Sequence, residues 1–248
     1  MGNLLKSELF KLRKDRSLRT LIIIIMASAI FYPTLIFFDN GADSATVNDF
    51  YSGTGLSGND YIVKLVPCIL AGFFISSEYS IGTMKSIGAS GNNRIRIYFA
   101  KLMAFSIGAV IISLVFPIII LAASTILFGT NDLPALDYFI QTMGLTILYA
   151  AAFSSIMSLF SIIFTDSGKT IGFLIIFFLL SDSILYVLSQ KFSLIETIFN
   201  YSVFKLFLDI SKVDLSNGAF LKILLVPIIT WIVFGLVGSF IFQKKEIK

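Results

Sequence analysis

Long apolar runs follow one another through most of the chain, separated by short stretches in which Lys, Arg, Asp, Asn and Gly collect. A bilayer core about 30 Å thick needs roughly 20 helical residues to cross it, so uncharged runs of about 17 to 25 residues mark membrane helices. Six runs with at most one fixed charge each stand at 18–38, 61–77, 102–128, 138–164, 170–189 and 220–242. The third and fourth exceed a plain span, which implies tilt, a kink or an overhang into water. Pro33, Pro67, Pro117 and Pro227 each fall inside a different run. In lipid, neighbouring helices satisfy the carbonyl that proline frees, so these positions predict kinks and not helix ends. The expected fold class is an all-α membrane protein of six transmembrane helices, with one membrane domain accounting for residues 1–248.

The basic residues assign the two faces. Lys6, Lys11, Arg13, Lys14, Arg16 and Arg19 precede the first run; Lys85, Arg94, Arg96 and Lys101 follow the second; Lys169 follows the fourth; and Lys244, Lys245 and Lys248 close the chain. The other side holds only Lys64, Lys191, Lys205, Lys212 and Lys222, and its first two loops carry Asp39, Asp43, Asp49, Asp60, Asp132 and Asp137 without one Lys or Arg. Lys and Arg concentrate on cytoplasmic loops, so both termini are expected in the cytoplasm. The basic stretch ahead of the first run is not read as a cleavable signal, because that run is longer than a signal core and further spans follow it.

Three segments outside the runs carry patterns of their own. In GNLLKSELFKLRKDRS, Leu5, Leu9 and Leu12 form one helical stripe with Lys6, Lys11, Arg13 and Lys14 around it. Such a basic amphipathic helix lies in the inner headgroup layer, docks on a partner, or simply sets orientation. The loop after the second run reads SSEYSIGTMKSIGASGNNRIRIYFAK; Gly82, Gly88 and Gly91 break it around a short segment at 83–87, and Asn92 and Asn93 offer a start for the third span. Before the last run, Ile195, Ile198, Phe199, Val203, Leu206, Phe207 and Ile210 recur at spacings of three and four, which predicts an amphipathic helix on the outer face, interfacial or re-entrant.

Composition narrows the chemistry. Hydrophobic residues make up 56% and charged residues only 14%, against about 25% charged in soluble domains. The chain has no His, which removes imidazole catalysis and His-ligated metal. Cys68 stands alone, so no intrachain disulfide forms. The net charge of +4 is spread over the ends of the runs and forms no single patch, which points to lipid headgroups and not to nucleic acid. Within the spans Asp182 is the conspicuous fixed charge, open to two readings: a functional intramembrane carboxylate, or one solvated near the outer interface beside Ser181 and Ser183. The fourth run places Gly144, Ala151, Ser154, Ser158, Ser161 and Thr165 on one face, a helix-packing seam first and a polar translocation lining second. DSGKT at 166–170 ends like a phosphate-binding loop but has Ile163 where glycine is needed, and DNGADS lacks the spacing of a calcium loop.

The segments LLKSELFKLRKDRS, EYSIGTMKSIGASGNNRIRIYFAKL and FNYSVFKLF together resemble the permease subunits of type-2 ATP-binding cassette exporters, over essentially the whole chain. The family often has proline within the GASGNNR stretch and this chain has none. The resemblance implies that the loop after span two is a coupling helix fitting a groove of a nucleotide-binding subunit, with Glu78, Gly82, Thr83 and Lys85 as coupling positions. It implies two cytosolic ATP-binding cassette subunits, a second permease either identical or related, and ATP and Mg bound by the partner, with no cofactor or catalytic residue in this chain. Asp182, Ser154, Ser158 and Ser161 become candidates for a substrate path. The expected activity is export of a hydrophobic or amphipathic substrate, such as an antimicrobial or toxin-like peptide, across a bacterial cell membrane. Extrusion of drugs or sodium ions, and a non-transporting anchor or sensor, are the competing readings. An intramembrane hydrolase would need paired acids or His within the spans.

Overall fold

The computed structural model describes residues 2–41, 45–89, 91–130, 132–212 and 217–245. Asp43 and Lys248, counted above for orientation, lie outside them, as does the end of the DNGADS string. The chain forms α1 (Gly2–Lys14), α2 (Arg16–Asn40), a π-helical segment Asp49–Gly55, α3 (Leu56–Ala71), a second π segment Gly72–Ser76, α4 (Ser77–Ser80), α5 (Thr83–Ala89), α6 (Arg94–Phe128), α7 (Leu136–Phe164), α8 (Ser167–Ser189), α9 (Ser193–Asn200), α10 (Val203–Phe207) and α11 (Asn217–Lys244). No strand occurs among the described residues. Six helices are long and apolar enough to cross a membrane: α2, the continuous stretch Asp49–Ser80, α6, α7, α8 and α11.

Side-chain caps set the breaks between helices. Asp15 adopts an extended backbone and its carboxylate accepts the Leu18 amide at 2.9 Å, so the chain leaves α1 and restarts as α2. Asn93 does the same for α6, accepting from Ile95 N at 2.9 Å. Asp166 of the DSGKT string accepts from Lys169 N at 2.9 Å, which makes that string the start of α8. Pro33, Pro67, Pro117 and Pro227 lie inside helices, in α2, α3, α6 and α11.

The second span differs most from expectation. Its Ser- and Gly-rich start looks like a loop, yet helical structure runs back to Asp49. Burial outweighs the poor helix propensity of those residues: Phe50, Tyr51 and Leu56 are all in the interior, and the Tyr51 hydroxyl is hydrogen-bonded to Thr142 Oγ1 of α7 at 2.6 Å. Lys64, counted above with the outer-face cations although it falls within the run 61–77, lies well inside this longer span with its side chain 3% exposed.

Helix α7 forms the centre of the bundle. Its most apolar 18-residue window is 67% buried, against 17% for the first, fifth and sixth spans, which form the rim. It packs on α11 and α6; α6 in turn carries α2 and α1, and α3 lies between α6 and α8. The stripe predicted for α1 is used within the molecule, because Leu12 is buried over Gly108 of α6. Phe153 of α7 meets Phe178 of α8 and Phe204 and Phe207 of α10, with ring centroids 5.5–5.7 Å apart. These phenylalanines are buried packing groups and not a lipid-facing surface.

The single amphipathic helix expected before the last span is two helices. Ser202, extended in backbone, accepts from Lys205 N at 3.2 Å and starts α10 afresh. The two halves behave differently: Val203, Phe204, Leu206, Phe207 and Ile210 are buried, whereas Leu194 and Ile198 of α9 are exposed. A uniform helix could not point both sets of side chains where they are needed, so the chain bends at Tyr201 and Ser202.

Candidate functional site

At the basic end of the bundle the chain leaves the second span through α4 and makes a detached helix, α5, before entering α6. Gly82 and Gly91 flank it with φ of 81° and 75°, in the left-handed region that side chains disfavour. Gly88, expected to break the segment, is helical, and α5 runs to Ala89. Thr83 Oγ1 donates to the Glu78 carbonyl at 3.2 Å, closing the turn between α4 and α5. Met84 is buried and anchors α5 to the body, while Lys85 and Ser86 face outward. The expected coupling residues thus divide: Gly82 and Thr83 shape the turn, and Lys85 is presented on its surface.

Glu78 is turned inward. Its Oε1 lies 3.0 Å from Lys11 Nζ, and its Oε2 is held against Lys101 Nζ. The same two lysines pair with Glu8, whose Oε1 is 2.7 Å from Lys11 and whose Oε2 is 3.1 Å from Lys101. The result is a closed ring of alternating charge joining α1, α4 and α6. Side-chain exposures are 6% for Glu8, 13% for Glu78 and 4% for Lys101, with Lys11 at the edge with 39%. Each buried charge in such a ring is tolerable only because two opposite charges face it. Burial pulls the Lys11 ammonium down, but its hydrogen bond to Glu8 and the charges of Glu78 and Glu8 outweigh that, and its pKa is raised above 10.5.

The C-terminal segment joins the same end. Arg94 Nη1 donates to the carbonyls of Gln243 and Lys245 at 3.2 and 2.7 Å. Lys245 Nζ donates to the Ile163 carbonyl at 3.0 Å and to that of Ile162, and lies 5.5 Å from the centre of the Tyr79 ring. Burial lowers the Lys245 pKa. Helix α1 and residues Gln243 and Lys245 therefore brace the residues on either side of α5.

One turn above Glu78, the π segment Gly72–Ser76 interrupts the second span. Its carbonyl at Gly72 accepts from Ser167 Oγ at 2.9 Å, and Ser76 Oγ donates to the Ser161 carbonyl at 3.0 Å and lies 2.8 Å from Thr170 Oγ1. A π segment widens the helix and frees carbonyls for such cross-links, and it is often found where a helix must do more than span.

The serines of α7 are buried completely. Ser154 bonds to its own helix at the Ala151 carbonyl, 2.6 Å, and to Ser106 Oγ of α6, 2.7 Å, where Trp231 Nε1 of α11 also donates at 3.2 Å. Ser161 donates to Met157 O at 2.7 Å. With Ser158 they form a small-residue seam on which α6, α11 and the second span close.

Asp182 is far from α5 in the chain and has a partner that the pattern concealed. Lys64 Nζ lies 2.6 Å from its Oδ2 and 2.8 Å from Asp60 Oδ1. Glu8, Lys101 and Lys64 are members of these two charge clusters that the sequence reading did not single out as site candidates. Their common signal is a charge on an apolar face: Glu8 stands between Leu5 and Leu12 on the stripe, and Lys101 and Lys64 stand in apolar runs.

A model of the family described as "ABC-2 family transporter protein" matches residues 4–181, from α1 through the second, third and fourth spans and into α8. No curated protein matches the chain.

Proposed function

The chain belongs to the ABC-2 family of transporter proteins, a family of membrane components without an ATPase site of their own, and from that premise we propose that it is the permease subunit of an exporter driven by separate cytosolic ATP-binding cassette subunits. The observation that carries the reading is α5: a seven-residue helix between two left-handed glycines, with Lys85 outward, beside a buried ring of charge. In this reading the basic end is cytoplasmic and α5 seats in the partner subunit. ATP and its magnesium ion belong to that partner. Two permeases, identical or related, face each other over two cassettes.

Closure of the cassettes then displaces α5. The turn at Gly82 and Thr83 passes the displacement to α4, and Glu78 passes it to α1 and α6 through Lys11 and Lys101. No proton or bond changes hands in this chain; its residues transmit force. Glu78 is a positioning residue for the coupling helix, and Lys85 is the contact residue. The apolar character of the spans supports a hydrophobic or amphipathic cargo, with an antimicrobial or toxin-like peptide as the favoured class.

Purification in mild detergent tests the docking site. Lys85→Glu is expected to weaken recovery of the cytosolic cassette subunit by about 1 kcal/mol, an exposed charge at an interface, with no change in the melting temperature of the permease. Full recovery of the cassette with the Lys85→Glu protein would remove Lys85 from the docking surface.

A further inference from the structure

The ring at the basic end balances two carboxylates with two ammoniums, but the group at the far end does not: among the described residues, Asp60 and Asp182 share one ammonium, that of Lys64. Asp182 Oδ1 is buried and, among the described residues, accepts no hydrogen bond, while the side chain as a whole is 32% exposed. Lys205 and Lys212, on and after α10, are committed to Asp209 at 3.6 and 2.8 Å and reach water. An excess negative charge within a span is costly and calls for a positive partner.

Two cavities lead to it. One, of about 120 Å³, is lined by Lys64, Asp182 and Ser183 on its polar side and by Leu65, Phe178 and Leu179 on its apolar side. The other, of about 260 Å³, lies against the α10 turn and is lined by Leu56, Phe207, Leu208 and Ile210. Asp60 and Tyr61 line both. A carboxylate at the junction of two partly apolar cavities fits an organic cation on an apolar body. It does not suit a metal ion, because Ca²⁺ or Mg²⁺ wants roughly six oxygen ligands and an ammonium already stands between these two carboxylates.

We propose that Asp60 receives the cationic group of an amphipathic cargo, while Lys64 stays with Asp182 and keeps that second carboxylate neutralised. The occupant is a primary ammonium or guanidinium on a hydrophobic body, such as a basic side chain of an apolar peptide. Lys64 holds the site closed to weak cations by competing for Asp60. Calling the occupant cargo rests on the exporter reading; the binding itself does not.

The test uses the full chain in nanodiscs of zwitterionic lipid, titrated with phenethylammonium and, as the neutral control, phenethyl alcohol, by ligand-observed NMR. Saturable binding is expected for the ammonium and not for the alcohol. Asp60→Asn is expected to weaken it by about tenfold or more, and Lys64→Met to strengthen it by about tenfold, since a charged hydrogen bond is lost in one and a competitor in the other. Opposite signs separate recognition from loss of packing, which would weaken both. Equal binding of the two probes, an unchanged affinity in Asp60→Asn, or weaker binding in a Lys64→Met protein with an intact melting transition overturns the proposal. If either variant fails to fold, Asp182→Asn takes its place, with an expected loss of about tenfold as Lys64 turns wholly to Asp60; an unchanged affinity there overturns it equally. A permease that recruits no cassette yet binds the ammonium in this way refutes the exporter reading and leaves the site standing.

Discussion

Glu8 and Lys101 are 4% and 3% exposed, and neither charge could be held there without the other. Removing one member of the ring strands its partners in a medium that solvates them poorly. Lys101→Met is therefore expected to cost about 3 kcal/mol or more, the range for breaking a buried pair, seen as a lower melting temperature in detergent. Lys11 is 39% exposed on its side chain, and Lys11→Met should cost under about 1 kcal/mol because water screens what it leaves. The raised Lys11 pKa fixes the sign of a pH effect. Its stabilising charge is fully present below 10.5 and is lost as pH rises through the higher folded value. The melting temperature of the Lys11→Met protein should accordingly lose less than that of the parent on going above pH 10.5; equal losses would show that Lys11 contributes nothing there. Residue patterns alone did not reveal this ring, because helical spacing shows which face a charge lies on but not which distant helix supplies its counter-charge.

Between residue and molecule, the second span is the element whose irregularities do the most. A Cβ at Gly72 would come within 2.4 and 2.7 Å of the Ile171 side chain and 2.9 Å of the Ser167 carbonyl. Gly72→Ala must push α8 away from the π segment, at a cost of about 1–3 kcal/mol for overpacking. Adding Ile171→Ala should recover part of this, since the side-chain clash goes and the backbone clash stays; independent, additive losses in a double-mutant cycle would contradict the packing described here. Elements were legible wherever hydrophobicity and length sufficed. Spans one, three, four, five and six were foreseen within a few residues at most ends, the third starting eight residues early at Arg94 as an overhang. The second span was cut short at Tyr61 because Gly and Ser mimic a loop when their burial is unseen. The outer helix was over-extended for the converse reason: one apolar periodicity ran across a break that the Ser202 cap creates.

For the whole molecule, the grouping of α1, α5, the start of α6 and the C-terminal segment at one end is what makes a coupling function physically reasonable. A force applied at α5 meets Glu78, Lys101 and Glu8 within one closed set of contacts, and from there the long helix α6 reaches the α7 seam. The candidate site was legible in part. Gly82, Thr83 and Lys85 were singled out as candidates from glycine punctuation and resemblance, and Asp182 from its charge in an apolar run. The inward turn of Glu78 and the pairing of Asp182 with Lys64 depend on contacts between residues 67 and 118 positions apart, which no local pattern encodes. The most direct test of the central claim is site-specific photo-crosslinking in intact cells, with a benzophenone amino acid in place of Lys85 on α5 or, as a control, of Leu194, which is exposed on α9 at the far end. An adduct is expected between position 85 and a cytosolic ATP-binding cassette subunit, and none from position 194. An adduct from 194 and none from 85 would contradict both the docking surface and the orientation of the bundle.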